Sequence, residues 1–327
     1  MDTERIGIVW NPSKTTREEL EQALAQAAAA VGLDPGTVLW EETAEDDPGR
    51  GAAERAVEGG ATVVIAAGGD GTVRAVAEHL AESGSESGSE SSAELGIAPL
   101  GTGNLLARNL EVPVGDLAAA LERALTAEAR AIDLGWAEVE IEGEQQRHAF
   151  AVMAGFGIDA HMITETDDDL KDRVGWLAYV ESLGRAVSAS EVIGIRLALD
   201  DEAETASEAH TLIVGNCGSI QGGITLLPDA DPSDGRLDLL LLDADGIGGW
   251  LDTLRNLVWD NGLKRLFASD DASAGTTAES SESAAHLQAR RVRVELDEPR
   301  AFEVDGDDLG ETTRFEIRIQ PAALRVR

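Results

Sequence analysis

Positive charge is scarce in this chain of 327 residues: 26 Lys and Arg stand against 62 Asp and Glu, a formal charge of −36. Lys14, Lys171 and Lys264 are its only lysines. A surface of that sign repels phosphodiester backbones and excludes nucleic acid as a partner. Acid without lysine fits either adaptation to high salt, where screening relieves self-repulsion, or a GC-rich genome that favours Arg, Ala, Gly, Asp and Glu. Cysteine is represented by Cys217 alone, which excludes an internal disulfide and a cysteine-rich metal cage. It follows an apolar run beside glycines and reads as a buried structural thiol. His79, His148, His161, His210 and His286 form no metal-ligand spacing and read as structural or exposed. No segment approaches the roughly 18 to 20 apolar residues of a membrane span, and Met1-Asp2-Thr3-Glu4-Arg5 lacks the regions of a signal peptide. The expectation is a soluble, cytoplasmic protein.

What is present is alternation. Arg5 to Trp10 is an apolar strand ending in Asn11-Pro12-Ser13-Lys14, and Thr15 with Glu18 forms a capping-box pattern before Leu20, Leu24, Ala27 and Val31. Val38–Trp40, Thr62–Ala67 and Leu95–Leu100 supply further strands, and Leu117, Leu121 and Leu125 line one face of a helix ending near Arg130. This predicts an α/β N-terminal domain with a mostly parallel, helix-covered sheet over residues 1–132. Beyond it, strands expected at Leu134–Ile141, His148–Met153, Ile193–Leu199, Thr211–Gly215, Leu237–Leu242, Val292–Leu296, Ala301–Val304 and Arg314–Ile319 predict a β-rich antiparallel sandwich over 133–327, whose last strand can pack back on the first domain. Helices near Lys171–Ala189 and Ile247–Phe267 interrupt it. The polar runs Ser83–Ser92 and Ser269–Ala285 read as disordered loops.

The stretch most informative for function is Thr62 to Val73, where an apolar strand enters Gly68-Gly69-Asp70-Gly71-Thr72 and Val73, Val76, Ala77 and Leu80 continue at helical spacing. Glycines let backbone approach a ligand, and the N–H groups of a new helix suit a phosphate. No lysine follows as in a P-loop, and the G-x-G-x-x-G spacing is absent. Asp70, set among phosphate-binding glycines, can hold Mg²⁺ or orient a hydroxyl near the transferred group. A second loop, Pro99-Leu100-Gly101-Thr102-Gly103-Asn104, again joins strand to helix, so a nucleotide can lie between the two at the carboxyl ends of the strands.

Asn11-Pro12-Ser13, Gly68 to Thr72 and Pro99 to Asn104 resemble, in order and spacing, the motifs of the diacylglycerol kinase catalytic-domain family, related to sphingosine kinases and more distantly to NAD kinases. Met153 to Ala160, Leu170 to Tyr179, Gly215-Asn216-Cys217-Gly218, Gln221-Gly222-Gly223 and Leu227 to Asp238 are similar to later family segments, so the resemblance covers nearly the whole chain. It implies an ATP- and Mg²⁺-dependent lipid kinase acting on diacylglycerol or a similar lipid, in peripheral, transient contact with the inner membrane face. Nucleotide contacts carried over are Asn11, Pro12, Ser13, Lys14, Thr15, Thr43, Gly68, Gly69, Asp70, Gly71, Thr72, Val73, Arg74, Thr102, Gly103 and Asn104. A structural magnesium is implied at Asp231, Asp234 and the carbonyl of Arg236, whose hard oxygens suit it, although an Asp-Gly pair also closes hairpins.

Val304-Asp305-Gly306-Asp307-Asp308 resembles the family's acidic motif facing the reacting hydroxyl. Asp307 stands where the family has Glu, one methylene shorter, so the base is Asp307, with Asp305 or Asp70 as alternatives. Leu105 stands where some members carry an acid. Lys171, Arg173, Trp176 and Tyr179 combine cationic and interfacial aromatic character and are the expected membrane contact, whereas Arg290, Arg291 and Arg293 read as solvated, with phospholipid headgroups the alternative. The apolar face of Ile247, Trp250, Leu251, Leu254, Leu257 and Val258 reads as helix packing. A soluble-metabolite kinase or a non-catalytic nucleotide-binding regulator are the rival readings; a homodimer stays open, because oligomeric state leaves no mark in the sequence.

Overall fold

A computed structural model describes residues 5–87, 93–157, 192–220, 224–242 and 284–327. The expected helices near 171–189 and 247–267, the interfacial residues Lys171, Arg173, Trp176 and Tyr179, and most of the polar run 269–285 lie outside them.

Strands β1 (Ile6–Trp10), β2 (Leu39–Glu42), β3 (Val63–Gly68) and β4 (Glu94–Pro99) form a parallel ladder in the order β4-β3-β1-β2. Ile8 pairs with Ile65, and Ile65 with Gly96. Every residue of β1 and β3 is buried because helices cover both faces, which is why these strands are apolar throughout rather than alternating. On one face Ile8, Val63 and Ile65 pack with Leu20 and Leu24 of α1 (Arg17–Val31) and Leu121 of α5 (Leu117–Thr126). On the other, Val9, Val64 and Ala66 meet Ala52 and Ala56 of α2 (Arg50–Glu58) and Val76 and Leu80 of α3 (Asp70–Ser87).

Three local expectations shift. The capping box of α1 is one residue later than Thr15 and Glu18: Thr16 accepts from Glu19 N at 3.2 Å, and Glu19 Oε2 accepts from Thr16 N at 3.0 Å. Thr15 is buried beside it and donates to the same Glu19 oxygen at 2.9 Å. Helix α2 was invisible as a pattern because its buried face is made of alanines, and a Cβ on Gly7 would sit 2.9 Å from that of Ala56. Ser83 to Ser87, read as a loop, continue α3.

The second half is antiparallel. Its strands are β5 (Arg130–Ile141), β6 (Glu144–Phe150), β7 (Met153–Phe156), β8 (Ile193–Leu199), β9 (Thr205–Ala209), β10 (Thr211–Gly215), β11 (Ser219–Ile220), β12 (Ile224–Thr225), β13 (Leu237–Leu242), β14 (Ala284–Ala289), β15 (Arg291–Val304) and β16 (Asp307–Val326). They enclose a sandwich core in which the rings of Phe302 and Phe315 pack tilted at 45° with centroids 4.6 Å apart, against Phe156, Leu212 and Leu239. Two separately expected segments, 292–296 and 301–304, are one strand, β15, with bulges between. The polar edge strand β9 escaped notice because it is held by backbone pairing to β8. Strand β14 begins at Ala284, inside the run read as a loop. Arg291 is not freely solvated: it pairs with Glu316 at 3.0 Å.

The two halves share one sheet. After an irregularity between Gln320 and Leu324, β16 runs antiparallel to Arg130–Ile132 and pairs in parallel with β4 at Val326↔Leu95. Strand β5 likewise runs unbroken from Arg130 past position 132. Among the described residues no helix is long and apolar enough to cross a membrane.

Candidate active site

Two strand-to-helix turns meet at the carboxyl ends of β3 and β4. Leu100 N donates to Gly68 O at 2.8 Å, and Val73 N closes the first turn of α3 on Gly69 O at 3.0 Å. A Cβ on Gly101 would lie 2.7 Å from Gly69 Cα, and one on Gly103 would lie 2.7 Å from Asp70 Oδ2, so both positions must be glycine for the loops to touch. Asn104, buried and at φ 49, accepts from Gly101 N at 2.9 Å and donates to Gly101 O at 2.6 Å, closing the second loop on itself.

Asp70 joins the loops. Its Oδ2 accepts from Asn104 N at 2.8 Å and its Oδ1 from Leu105 N at 2.6 Å, at the start of α4 (Leu105–Asn109). Burial raises the pKa of its carboxyl, the amides partly offset this, and the nearby charge of Asp307 raises it further. The residue read as a cation holder or base is, in its geometry, a strut between two glycine turns.

Asp305 is similarly committed. Buried at φ 48, it accepts from Ala151 N and Val152 N at 2.8 Å and from Met153 N at 3.0 Å, and its own N–H donates to Met153 O. Burial pushes its pKa up to about 6, against the three amides. Asp307, across Gly306, has a half-exposed carboxylate facing Gly71, whose added Cβ would lie 3.5 Å from Oδ2. Of the three carboxylates, Asp307 is the one not tied to backbone amides by any described bond.

These groups line a cleft of about 320 Å³ between the halves. The polar part of the lining is Lys14, Gly69, Asp70, Gly71, Gly101, Thr102, Gly103, Asp305, Gly306 and Asp307. The rest of the lining is largely apolar: Leu105, Met153, Ala154, Gly155, Phe156, Ile213, Ile220 and Leu226, with Glu303 among them. Asn109, the last residue of α4, exchanges hydrogen bonds of 2.8 and 3.0 Å with the backbone of Ser219 on β11.

The remaining expected contacts stand behind the lining. Asn11 Oδ1 accepts from Ser13 N at 2.9 Å and Oγ at 2.7 Å, shaping the loop of Pro12 that carries Lys14. Thr15, Thr43, Thr72 and Val73 are buried, Thr43 N donating to Trp10 O at 2.9 Å; Gly68 lies under Thr72. Arg74 is not part of the lining, and its guanidinium donates to Asp307, which is. Apart from the Met153–Phe156 segment the apolar lining is not legible in the sequence, because Ile213, Ile220 and Leu226 carry no motif and converge only in the fold.

The implied metal loop is separate from the cleft. Asp231 Oδ1 accepts from Ser233 N at 2.9 Å and Oγ at 2.6 Å, and Asp234 Oδ1 from Arg236 N at 2.8 Å, so each carboxylate closes its own turn. Buried Asp133 pins the loop, accepting from Gly235 N at 2.6 Å and Ala322 N at 2.7 Å. Two carboxylates and the Arg236 carbonyl are a hard-oxygen donor set compatible with a divalent cation. Among the described residues no group of three or more His, Cys, Asp or Glu forms a metal site. His79 and His148 have pKa values lowered by burial, and buried Cys217, its pKa raised by burial, donates weakly to Ala151 O at 3.4 Å, as structural groups do.

A parallel α/β half presenting glycine turns to a β-sandwich across a cleft defines the fold class of the NAD kinase-like two-domain proteins. Residues 5–137 match the model of the diacylglycerol kinase catalytic domain, and residues 151–259 that of the YegS C-terminal NAD kinase beta sandwich-like domain. "Probable lipid kinase YegS-like" of Pseudomonas aeruginosa is 32% identical over 100% of this chain and 95% of its own. Its namesake in Pseudomonas fluorescens is 33% identical over 99% and 95%. A solved structure titled a diacylglycerol kinase, from Bacillus anthracis str. Sterne, shares the fold with a TM-score of 0.66, 21% identity, and coverage of 100% of this chain and 97% of that one. The chain belongs to the YegS-like branch of the diacylglycerol kinase catalytic-domain family.

Proposed function

We propose that this protein is an ATP-dependent lipid kinase that phosphorylates the hydroxyl of diacylglycerol or a similar lipid. The observation that carries the reading is the mixed lining of the cleft: glycine turns and a half-exposed carboxylate together with an apolar wall of Met153 to Phe156, Ile213, Ile220 and Leu226. A soluble acceptor such as a dinucleotide would need hydrogen-bonding partners along that wall, and the wall offers few.

In this reading the amides of the glycine turns and Lys14 receive the phosphates of ATP, and the acyl end of the acceptor lies on the apolar wall. Asp307 takes the proton of the acceptor hydroxyl as its oxygen forms a bond to the γ-phosphorus; the bond from that phosphorus to the β,γ-bridging oxygen breaks, and ADP leaves. Asp305 and Asp70 hold the backbone around the reacting centre. Magnesium accompanying ATP would offset phosphate charge. A further divalent ion at Asp231, Asp234 and the Arg236 carbonyl would act on loop structure, away from the cleft. The protein would work at a membrane surface without spanning it.

The test is transfer of labelled phosphate from Mg-ATP to a panel of lipids in mixed micelles, at low and high salt, beside Asp307→Ala. Phosphatidic acid made by the wild type, with a loss in the variant on the order of 100-fold or more, is the expected result. Product on another lipid would correct the acceptor; ATP binding with no lipid product at either salt would overturn the reading.

A further inference from the structure

Arg74 lies one turn into α3, four residues after Asp70, yet it is absent from the lining of the cleft. One of its Nη groups donates to Oδ2 of Asp307 at 2.5 Å, joining the parallel half to the turn between β15 and β16. The side chains differ in exposure, 16% for Arg74 against 48% for Asp307, so the guanidinium is packed behind and the carboxylate stands in front of it, in the cleft. The turn backbone is set by Asp305 at φ 48, held by three amides, and by Gly306 at φ 86. What remains undetermined by the backbone is the rotation of the Asp307 side chain itself. A half-exposed aspartate samples several rotamers; a charge-assisted bond to one oxygen selects among them and leaves the second oxygen for a ligand.

The geometry points to Arg74 as a positioning residue rather than a nucleotide ligand: from behind the cleft it holds Asp307 so that Oδ1 meets the acceptor hydroxyl. The inference rests on the proposed role of Asp307 as proton acceptor. It also explains why a guanidinium stands on a helix whose neighbouring first-turn residues serve the phosphate loops. The pair bridges the two halves, so carboxylate and glycine turn stay in register when the cleft fills. Misplacing a reacting group by about 1 Å can cost on the order of 100-fold in rate, so the effect belongs in kcat.

The experiment compares wild type, Arg74→Met, Arg74→Lys, Asp307→Asn and the Arg74→Met/Asp307→Asn double variant, each checked for folding by thermal unfolding. Arg74→Met should lower kcat on the order of 10- to 100-fold with KM for ATP changed less than about threefold. Arg74→Lys, which keeps charge and loses the fork, should fall between. In the Asp307→Asn background Arg74→Met should add almost nothing, since it acts through the carboxylate. Unchanged kcat, an effect confined to KM for ATP, or losses that multiply in the double variant would overturn the inference. A crystal structure of Arg74→Met supplies a readout free of turnover: Asp307 rotated out of the cleft supports the inference, and Asp307 unmoved refutes it. If wild type phosphorylates no lipid, the function reading fails on its own, and the crystal structure still decides the role of Arg74.

Discussion

Asp305 shows how much a single side chain can decide. A carboxylate that accepts three backbone N–H groups and is buried at φ 48 defines both the crossing from β6 to β7 and the turn before Asp307. Its folded pKa of about 6 lies above the roughly 3.9 of an unfolded aspartate, so between those values the native state holds a proton that the unfolded state has lost. Stability from this group is therefore greatest below about pH 4 and falls as pH rises through 6, by about 2 to 3 kcal/mol. Asp305→Asn does not titrate. Urea unfolding of both proteins from pH 4 to 7 should show the wild type losing that amount relative to the variant; a constant difference would mean that the amides keep the carboxyl ionised throughout.

At the scale of elements, the site is the contact of two turns. The loop after β3 and the loop after β4 touch where Gly101 meets Gly69, and Asp70 pins the second loop to the first through two amides. Gly101→Ala places a Cβ 2.7 Å from the Gly69 backbone and must push the loops apart. Calorimetric titration with ATP should show affinity reduced at least tenfold, with a thermal midpoint within about 3 °C of wild type because the strands behind are untouched. Unaltered affinity would show that the nucleotide does not bridge the two turns. Both loops were legible as sequence, since glycines between an apolar run and a helical pattern have few other uses. The capping box of α1 was legible to within one residue, because Thr15 and Thr16 both carry a hydroxyl and only the extended backbone of Thr16 chooses between them. The alanine face of α2 and the polar strand β9 were not legible: small or polar side chains produce no periodicity, and backbone pairing leaves no trace in composition.

At the scale of the molecule, β16 is the piece that joins the halves. It begins in the sandwich, and its end lies against β4 and β5, where Leu324 and Val326 are buried at 2% and 1% exposure and Arg327 bonds Glu94 at 2.6 Å. Deleting residues 322–327 removes two buried apolar side chains and uncovers the edge of β4. The expected cost is roughly 3 to 6 kcal/mol, read as a drop in thermal midpoint of about 10 °C or more. A drop under about 2 °C would show that β4 needs no partner on that side. The charge of −36 acts at this scale as well, through a self-repulsion that no single pair describes. Arg50 ties α2 to α3 through Glu78 and Glu82, and Arg147, paired with Glu82 and lying over the Trp136 ring, places a cation where α3 meets the sandwich.

The sequence by itself determined the strand-and-helix alternation of the first half, its parallel character and the position of both glycine turns. Each of these follows from local periodicity and from backbone freedom that only glycine has. The tertiary structure alone decided which carboxylate of three is free of backbone amides, what forms the apolar lining of the cleft, and that Arg74 bonds Asp307. Those answers depend on contacts between residues up to 233 positions apart, and no local pattern encodes the direction in which a side chain will find its partner.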